Sequence, residues 1–213
     1  MKRCLLKKLL RVWLGLIAGA LALTGAARAQ TKAPTAEVAP VKALGSKSAP
    51  ITMEVFSDYQ CPACGQLYVQ TLRQVIDNYV SAGKVYLVHR DFPLSAHKYS
   101  RDAARWANAA AQIGKFEKVE EALYTRREAW ENSGNIEAVV AAVLSPAELK
   151  KARALVQSGK LDAVIDKDAA LGGTFQVQQT PTSIVTCRGQ TYPIVGVVSY
   201  SILRRFFDDL LRQ

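Results

Sequence analysis

Between residues 98 and 171 no segment reads as a β-strand, although strand-like segments flank that stretch on both sides. Any fold for this chain must therefore build one sheet from two sequence-distant halves and carry a helical block between them. The block reads as five helices: KYSRDAARWANAAAQIG, KFEKVEEALYTRREAW, NIEAVVAAVL, SPAELKKARALVQSG and KLDAVIDKDAALGG. Gly114, Ser133-Gly134, Ser145-Pro146 and Ser158-Gly159 divide them, and Ser145 followed by Glu148 forms a capping box. In the first half, ITMEVFS (51–57) is apolar and β-branched, as a buried strand requires. A helix follows from Pro62, with Leu67, Leu72, Val75, Ile76 and Tyr79 at helical spacing, and KVYLVHR (84–90) is a second strand. In the second half, TSIVTC (182–187), a turn at Arg188-Gly189, QTYPIVGVV (190–198) and an amphipathic helix close the chain. A β-α-β unit requires a parallel pair joined by a right-handed crossover, and the terminal hairpin extends the same sheet. The expected fold is α/β: β-α-β then β-β-α around a mixed sheet, with a helical insertion. Its parts are 47–97, the insertion 98–171, and 172–213.

The first 29 residues have the three parts of a secretory signal peptide. Five basic residues open them, an apolar run from Val12 to Leu23 follows, and Ala27-Arg28-Ala29 makes a small-residue exit. The apolar run is shorter than the ~20 residues a spanning helix needs, which favours cleavage over an anchor. If cleavage fails, the chain stays membrane-anchored. Residues 30–46 are rich in Ala, Pro, Thr and Lys without apolar period and read as a flexible leader. The whole chain carries 28 basic and 18 acidic residues, but six of the basic ones and none of the acidic ones lie in 1–29. The remaining 22 against 18 do not support a nucleic-acid partner. Localisation is expected to be periplasmic or otherwise exported.

Past that signal, three cysteines remain: Cys61, Cys64 and Cys187. Cys61 and Cys64 fall where the first strand ends and the first helix begins, at the carboxyl edge of the sheet where sites collect in open α/β folds. A disulfide closing so small a loop removes little unfolded-state entropy, which weakens a purely structural role. A zinc site needs four ligands, and beyond the pair there remain only Cys187, His89 and His97, none at ligand spacing. No metal and no cofactor are expected. A redox cysteine reacts as its thiolate, and a helix N-terminus supplies free N–H groups and the positive end of the dipole. Cys61 just before the helix is thus the expected nucleophile, and Cys64, one turn in, the sheltered partner that resolves a mixed disulfide. Pro62 and Ala63 between them offer no cation, so the backbone and helix end must stabilise the anion. In QQTPTSIV, a cis Thr180–Pro181 bond would present the backbone of Thr180 to an extended peptide; an ordinary trans proline opening a strand is the other reading.

FSDYQCPAC, HRDFPLSAH, the Ala-rich helix, KFEKVEEALY and QTPTSIV, in this order, resemble the DsbA-like thiol–disulfide oxidoreductases over about residues 48–210. The resemblance implies a thioredoxin-like fold with an inserted helical domain, disulfide exchange with exported proteins, Cys61 and Cys64 as the redox pair, and Pro181 as the cis-proline beside them. Thr180, Pro62 and Ala63 are then the expected substrate contacts. It also places Glu54 where a buried acid often tunes the pair, though one extra residue separates that strand from the cysteine here; an outward-facing Glu54 with a salt partner is the other reading. Pro-Ala replaces the Pro-His of the best-known oxidases, so the histidine that helps the thiolate there is missing.

The activity expected is a disulfide oxidase acting on reduced, exported client proteins and reoxidised by a membrane redox partner. A reductase fed by a membrane electron donor, for example in cytochrome maturation, is the alternative enzyme. A peptide-binding or chaperone module with a static disulfide is the alternative of another class. Asp58 is expected to support the turn, and its charge would oppose a nearby thiolate. His97 is expected to cap or lie at the surface, His89 to be a satisfied core or edge residue, and Cys187 to be a half-buried free thiol. The large aromatics are expected to be core.

Overall fold

Alternating buried and half-buried positions from Ile51 to Ser57 make β2 a central strand with two covered faces. A computed structural model describes residues 42–213; the expected signal peptide and residues 30–41 of the leader lie outside the described residues. Strand β1 (Ala43–Leu44) leads into β2 (Ile51–Ser57), and α1 (Pro62–Leu67) begins one turn after it. The helix runs on through a π-helical turn at Tyr68–Leu72, α2 (Arg73–Val75) and a second π-helical turn at Ile76–Val80. Along this helix Leu67, Tyr68, Leu72, Val75 and Tyr79 are all buried. Then come β3 (Val85–Asp91), the helices α3 (Ser100–Gln112), α4 (Phe116–Thr125), α5 (Ile136–Ala141), α6 (Pro146–Gln157) and α7 (Asp162–Thr174), and finally β4 (Thr182–Cys187), β5 (Gln190–Val195) and α8 (Tyr200–Arg212).

The sheet has the order β1-β3-β2-β4-β5. β2 and β3 are parallel, with Val55 opposite His89, and β4 lies antiparallel to β2, with Val55 opposite Ser183. This is the thioredoxin fold, a mixed five-stranded sheet with a helical insertion, as expected. The capping box expected there forms: Ser145 accepts the N–H of Glu148, whose carboxylate accepts the N–H of Ser145 in return. Its last helix runs three residues beyond 171, because Leu171, Gly172 and Phe175 continue to cover the sheet. There Gly172 is required by close approach: a Cβ would lie 2.6 Å from the Phe92 ring.

Two cores result. On one sheet face, Met53, Val55 and Leu87 pack with α1 and α8 and run without a break into Trp106, Leu123 and Trp130 of the insertion. On the other, α7 covers Phe56, Ile184, Phe92 and Phe175. Within residues 42–46, read as the end of a flexible leader, Ala43 and Leu44 instead form an edge strand of the sheet. Ala43 pairs with Val88, and Lys42 is buried with its ammonium on the carboxylates of Asp91 and Asp168. Composition hid this because the segment is too short to show a strand period.

Candidate active site

Cys61 is the N-cap of α1, in extended conformation, with Pro62 at the first helical position. Its carbonyl accepts the N–H groups of Cys64 and Gly65 at 3.1 and 3.2 Å, which starts the helix. Cys61 keeps 7% of its surface accessible against 1% for Cys64, so the two thiols differ in environment as nucleophile and resolver should. Both are free thiols. Hydrogen bonding from Cys64, helped by Thr180 and the N–H groups of Cys64 and Ala63, lowers the Cys61 thiol from 9.0 to about 5, against the opposing effect of burial. Burial, reinforced by Cys61, pushes the Cys64 thiol far up. The pair therefore divides the labour: one sulfur is ready to attack, the other is held protonated.

The Thr180–Pro181 bond is cis. It brings the Thr180 carbonyl to the Cys61 thiol, which donates to it at 3.6 Å across 119 residues of chain. Cys61, Cys64, Thr180 and Pro181 thus meet at one sheet edge, where Pro62 is exposed and Ala63 half-buried. A groove of about 460 Å³ reaches this edge at Pro62 and runs past Val69 and Tyr124, and a second of about 490 Å³ lies further along the same helix, at Gln70, Val197 and Tyr200. Val69, Val195 and Val197 are exposed apolar residues beside them.

The loop before Cys61 is held from beneath. The Asp58 carboxylate, fully buried, accepts the N–H of Gln60 at 2.7 Å, and the N–H of Leu94 and Nδ1 of His97 at 2.8 Å. Asp58 supports the turn as expected. His97 is its hydrogen-bond partner, which spacing in the chain could not reveal. Ser57 and Tyr124 share a buried hydrogen bond of 2.7 Å, and Tyr124 packs on Tyr59, which stacks on His89 at 4.7 Å. His89 is a core residue but only half satisfied: its Nδ1 lies 3.0 Å from Glu120, while its Nε2 faces Asp91 at 3.5 Å without a hydrogen-bond partner among the described residues.

Glu54 does not lie under the redox pair. It points to the sheet face covered by α7, where Arg90 donates to its carboxylate at 2.6 and 2.9 Å and also binds Asp168. Strand alternation explains it: Met53 and Val55 take the face that packs α1, so Glu54 takes the other. The sequence reasoning missed the buried polar group of Lys42, His89, Asp91, Asn108 and Asp168, although His89 and Asp91 inside an apolar strand were a visible signal. Cys187 is a buried free thiol opposite Ile51. Among the described residues no three His, Cys, Asp or Glu side chains cluster within reach of one metal ion, and no helix is long and apolar enough to cross a membrane.

A Cys-x-x-Cys pair capping a helix at the end of a central strand, against a cis-proline, defines the thioredoxin-fold thiol–disulfide oxidoreductases as a class. A family model described as thioredoxin matches residues 38–191, and the chain belongs to that family. Its insertion follows the DsbA-like pattern. The crystal structure of oxidised BdbD from Bacillus subtilis aligns with a TM-score of 0.68 at 20% identity, covering 82% of this chain and 94% of that one. The "Probable disulfide bond formation protein D" of Bacillus cereus is 24% identical over 153 residues, 68% of this chain and 69% of its own length. A segment of 85 residues is 34% identical to part of the "Na(+)/H(+) antiporter NhaA 3" of Salinispora tropica, covering 39% of this chain and only 12% of the antiporter.

Proposed function

We propose that the protein is an exported disulfide oxidase that introduces disulfides into reduced client proteins through Cys61 and Cys64. The observation that carries the direction is the asymmetry of the pair. Anything that stabilises the Cys61 thiolate stabilises the dithiol relative to the disulfide, and so makes the disulfide a better electron acceptor. The likeness to a relative whose name specifies disulfide bond formation supports the same direction.

In the proposed cycle a client thiolate attacks Sγ of Cys61, the Cys61–Cys64 bond breaks, and its electron pair leaves on Cys64, which takes up a proton. A second client thiolate then attacks the client sulfur of the mixed disulfide and expels Cys61 as a thiolate. The client has lost two electrons and the pair has gained them. The backbone of Thr180, beside Pro181, is the proposed docking edge for an extended client, and Pro62 and Ala63 the contacts on the other side of the sulfur. Reoxidation requires an electron acceptor outside the pair, which we assign to a membrane redox partner. Export rests on the signal-like residues 1–29.

Equilibration of the pair in glutathione buffers tests the direction. A potential near or above that of the exported compartment is expected. A potential close to that of a cytosolic thioredoxin would reverse the proposed electron flow, and a pair that never reduces reversibly would end the enzymatic reading.

A further inference from the structure

Asp58 is in contact with both cysteines through its backbone. Its N–H donates to Sγ of Cys64 at 3.4 Å, and its carbonyl accepts the N–H of Cys61 at 3.1 Å. Its side chain is a buried acid that accepts the N–H of Gln60, one residue before Cys61, and a negative charge held this close to a thiolate disfavours it. The loop cannot swing the charge away. Gln60, next to the nucleophile, is clamped to the insertion by its own side chain, which accepts the N–H of Tyr99 at 2.7 Å and donates to the carbonyl of Glu131 at 2.8 Å.

The other ionisable groups around this loop do not cancel the charge. Cys64 and, on α4, Tyr124 are both pushed up by burial and stay neutral near neutral pH. Tyr59, adjacent in the chain, is pushed up for the same reason. Arg127 is paired with Glu131, and Lys98 lies over the Tyr99 ring, 4.8 Å from its centroid. Among the described residues the one basic side chain on the Asp58 carboxylate is His97, from the loop between β3 and α3. Its side chain is 23% accessible, so its second nitrogen can exchange a proton with solvent.

We propose that His97, acting through Asp58, supplies the charge that poises the Cys61 thiolate, so that the redox pair follows the protonation of a side chain outside the Cys-Pro-Ala-Cys segment. His97 is a positioning residue in this scheme: it touches the carboxylate, not the sulfur. With Nδ1 donating to Asp58, protonation at Nε2 makes the ion pair neutral overall and favours the thiolate. Loss of that proton leaves the carboxylate charge uncompensated and disfavours it. By reciprocity the Cys61 thiolate, present only in the dithiol state, favours the protonated imidazole. Reduction of the pair then draws part of a proton onto His97, and oxidation releases it.

The inference rests on the redox reading for its consequence but not for its test, because Cys61 alkylation can be followed whether or not the pair exchanges disulfides. The full chain in its dithiol state would be alkylated with iodoacetamide across the acid and neutral range, as wild type, His97→Gln, His97→Lys, Asp58→Asn and the Asp58→Asn/His97→Gln double variant. Glutamine keeps a donor to Asp58 and removes the charge; lysine keeps a charge. In His97→Gln the midpoint of Cys61 reactivity should rise by about one pH unit, a roughly tenfold loss of thiolate on the acid side. His97→Lys should retain the wild-type midpoint. In the Asp58→Asn background the glutamine substitution should change nothing further. The reduction potential of His97→Gln should fall by about 30 mV, the equivalent of that tenfold change for a two-electron couple. An unmoved midpoint in His97→Gln overturns the proposal, and so does an equal rise in His97→Lys, since both would show geometry rather than charge at work. If Asp58→Asn does not fold, the glutamine and lysine variants decide alone. A shifted midpoint in a pair that does not cycle with glutathione would keep this inference and sink the oxidase reading; a cycling pair with an unmoved midpoint would do the reverse.

Discussion

Replacing Lys42 with methionine removes a buried cation while keeping an unbranched apolar stem of similar length. In the folded protein the Lys42 ammonium contacts Asp91 and lies 2.9 Å from Asp168, and its side chain is 3% accessible. Asp91, fully buried, would keep Nδ2 of Asn108 at 2.6 Å, and Asp168 would keep Arg90 at 3.1 Å. Asn108 is neutral and Arg90 sits on Asp168, so the His89 ring, 3.5 Å away, is the one basic neighbour left to Asp91 among the described residues. Removing one member of a buried ion pair typically costs about 3–5 kcal/mol, because the other charge is left uncompensated. Urea unfolding at neutral pH should show a loss in that range. The pH dependence carries the sharper test. Although burial pushes it up, Lys42 and His89 hold the Asp91 carboxyl well below the usual carboxylate range. In the wild type its contribution is therefore present above the unfolded carboxylate value and lost only in strong acid. Without Lys42, burial dominates and the folded carboxyl titrates upward instead. The deficit should then be largest at neutral pH and shrink as the pH falls and Asp91 takes a proton. Asp91→Asn added to Lys42→Met should recover part of the loss. A deficit under about 1 kcal/mol, or one that does not change with pH, would refute the claim that this edge contact is a buried ion pair in the working protein.

In the dithiol form, alkylation of Cys61 should be near its maximum at neutral pH and fall with a midpoint of about 5, while Cys64 reacts only after unfolding; a midpoint near the ordinary thiol value of 9.0 would remove the asymmetry on which the proposed direction rests. The stability this thiolate lends to the dithiol form is full above 9.0 and gone below about 5. Gly172→Ala places a methyl 2.6 and 2.8 Å from the Phe92 ring and 3.2 Å from Phe56, and should cost about 1–3 kcal/mol by overpacking in urea titrations; a neutral result would mean that the rings give way.

The elements that carry chemistry were legible because each has a local signal. A β-branched run ending in a proline-led helix locates the cysteine pair, and Ser145 with Glu148 marks a helix start that the structure reproduces. Asp58 as a turn support follows from Asp and Asn chemistry two residues upstream of an N–H group it can reach. What failed were the long-range assignments. The resemblance places Glu54 under the redox pair, whereas strand alternation turns it to the opposite face, where it meets Arg90. Lys42 sits in a composition that reads as linker, yet its partners are 49 and 126 residues away. His97 opens the helical block and so reads as a cap or surface residue, while the carboxylate it meets lies 39 residues before it. Charged pairs at such separations leave no periodicity to read, and only the fold brings them together.

That separation bears on the order of assembly. β2 and β4 pair across the whole helical block, so the chain must close a loop of more than a hundred residues before the Thr180 carbonyl can meet Cys61. The insertion, made of local helical contacts, can fold first and shorten that search. Until β4 docks, a growing or partly folded chain carries its cysteines without the wall that faces them. Such a chain presents a dithiol that any oxidant can close but no groove in which a client can be aligned. Competence therefore comes with the last fifth of the polypeptide, and a chain cut short there would keep the cysteines and lose the enzyme.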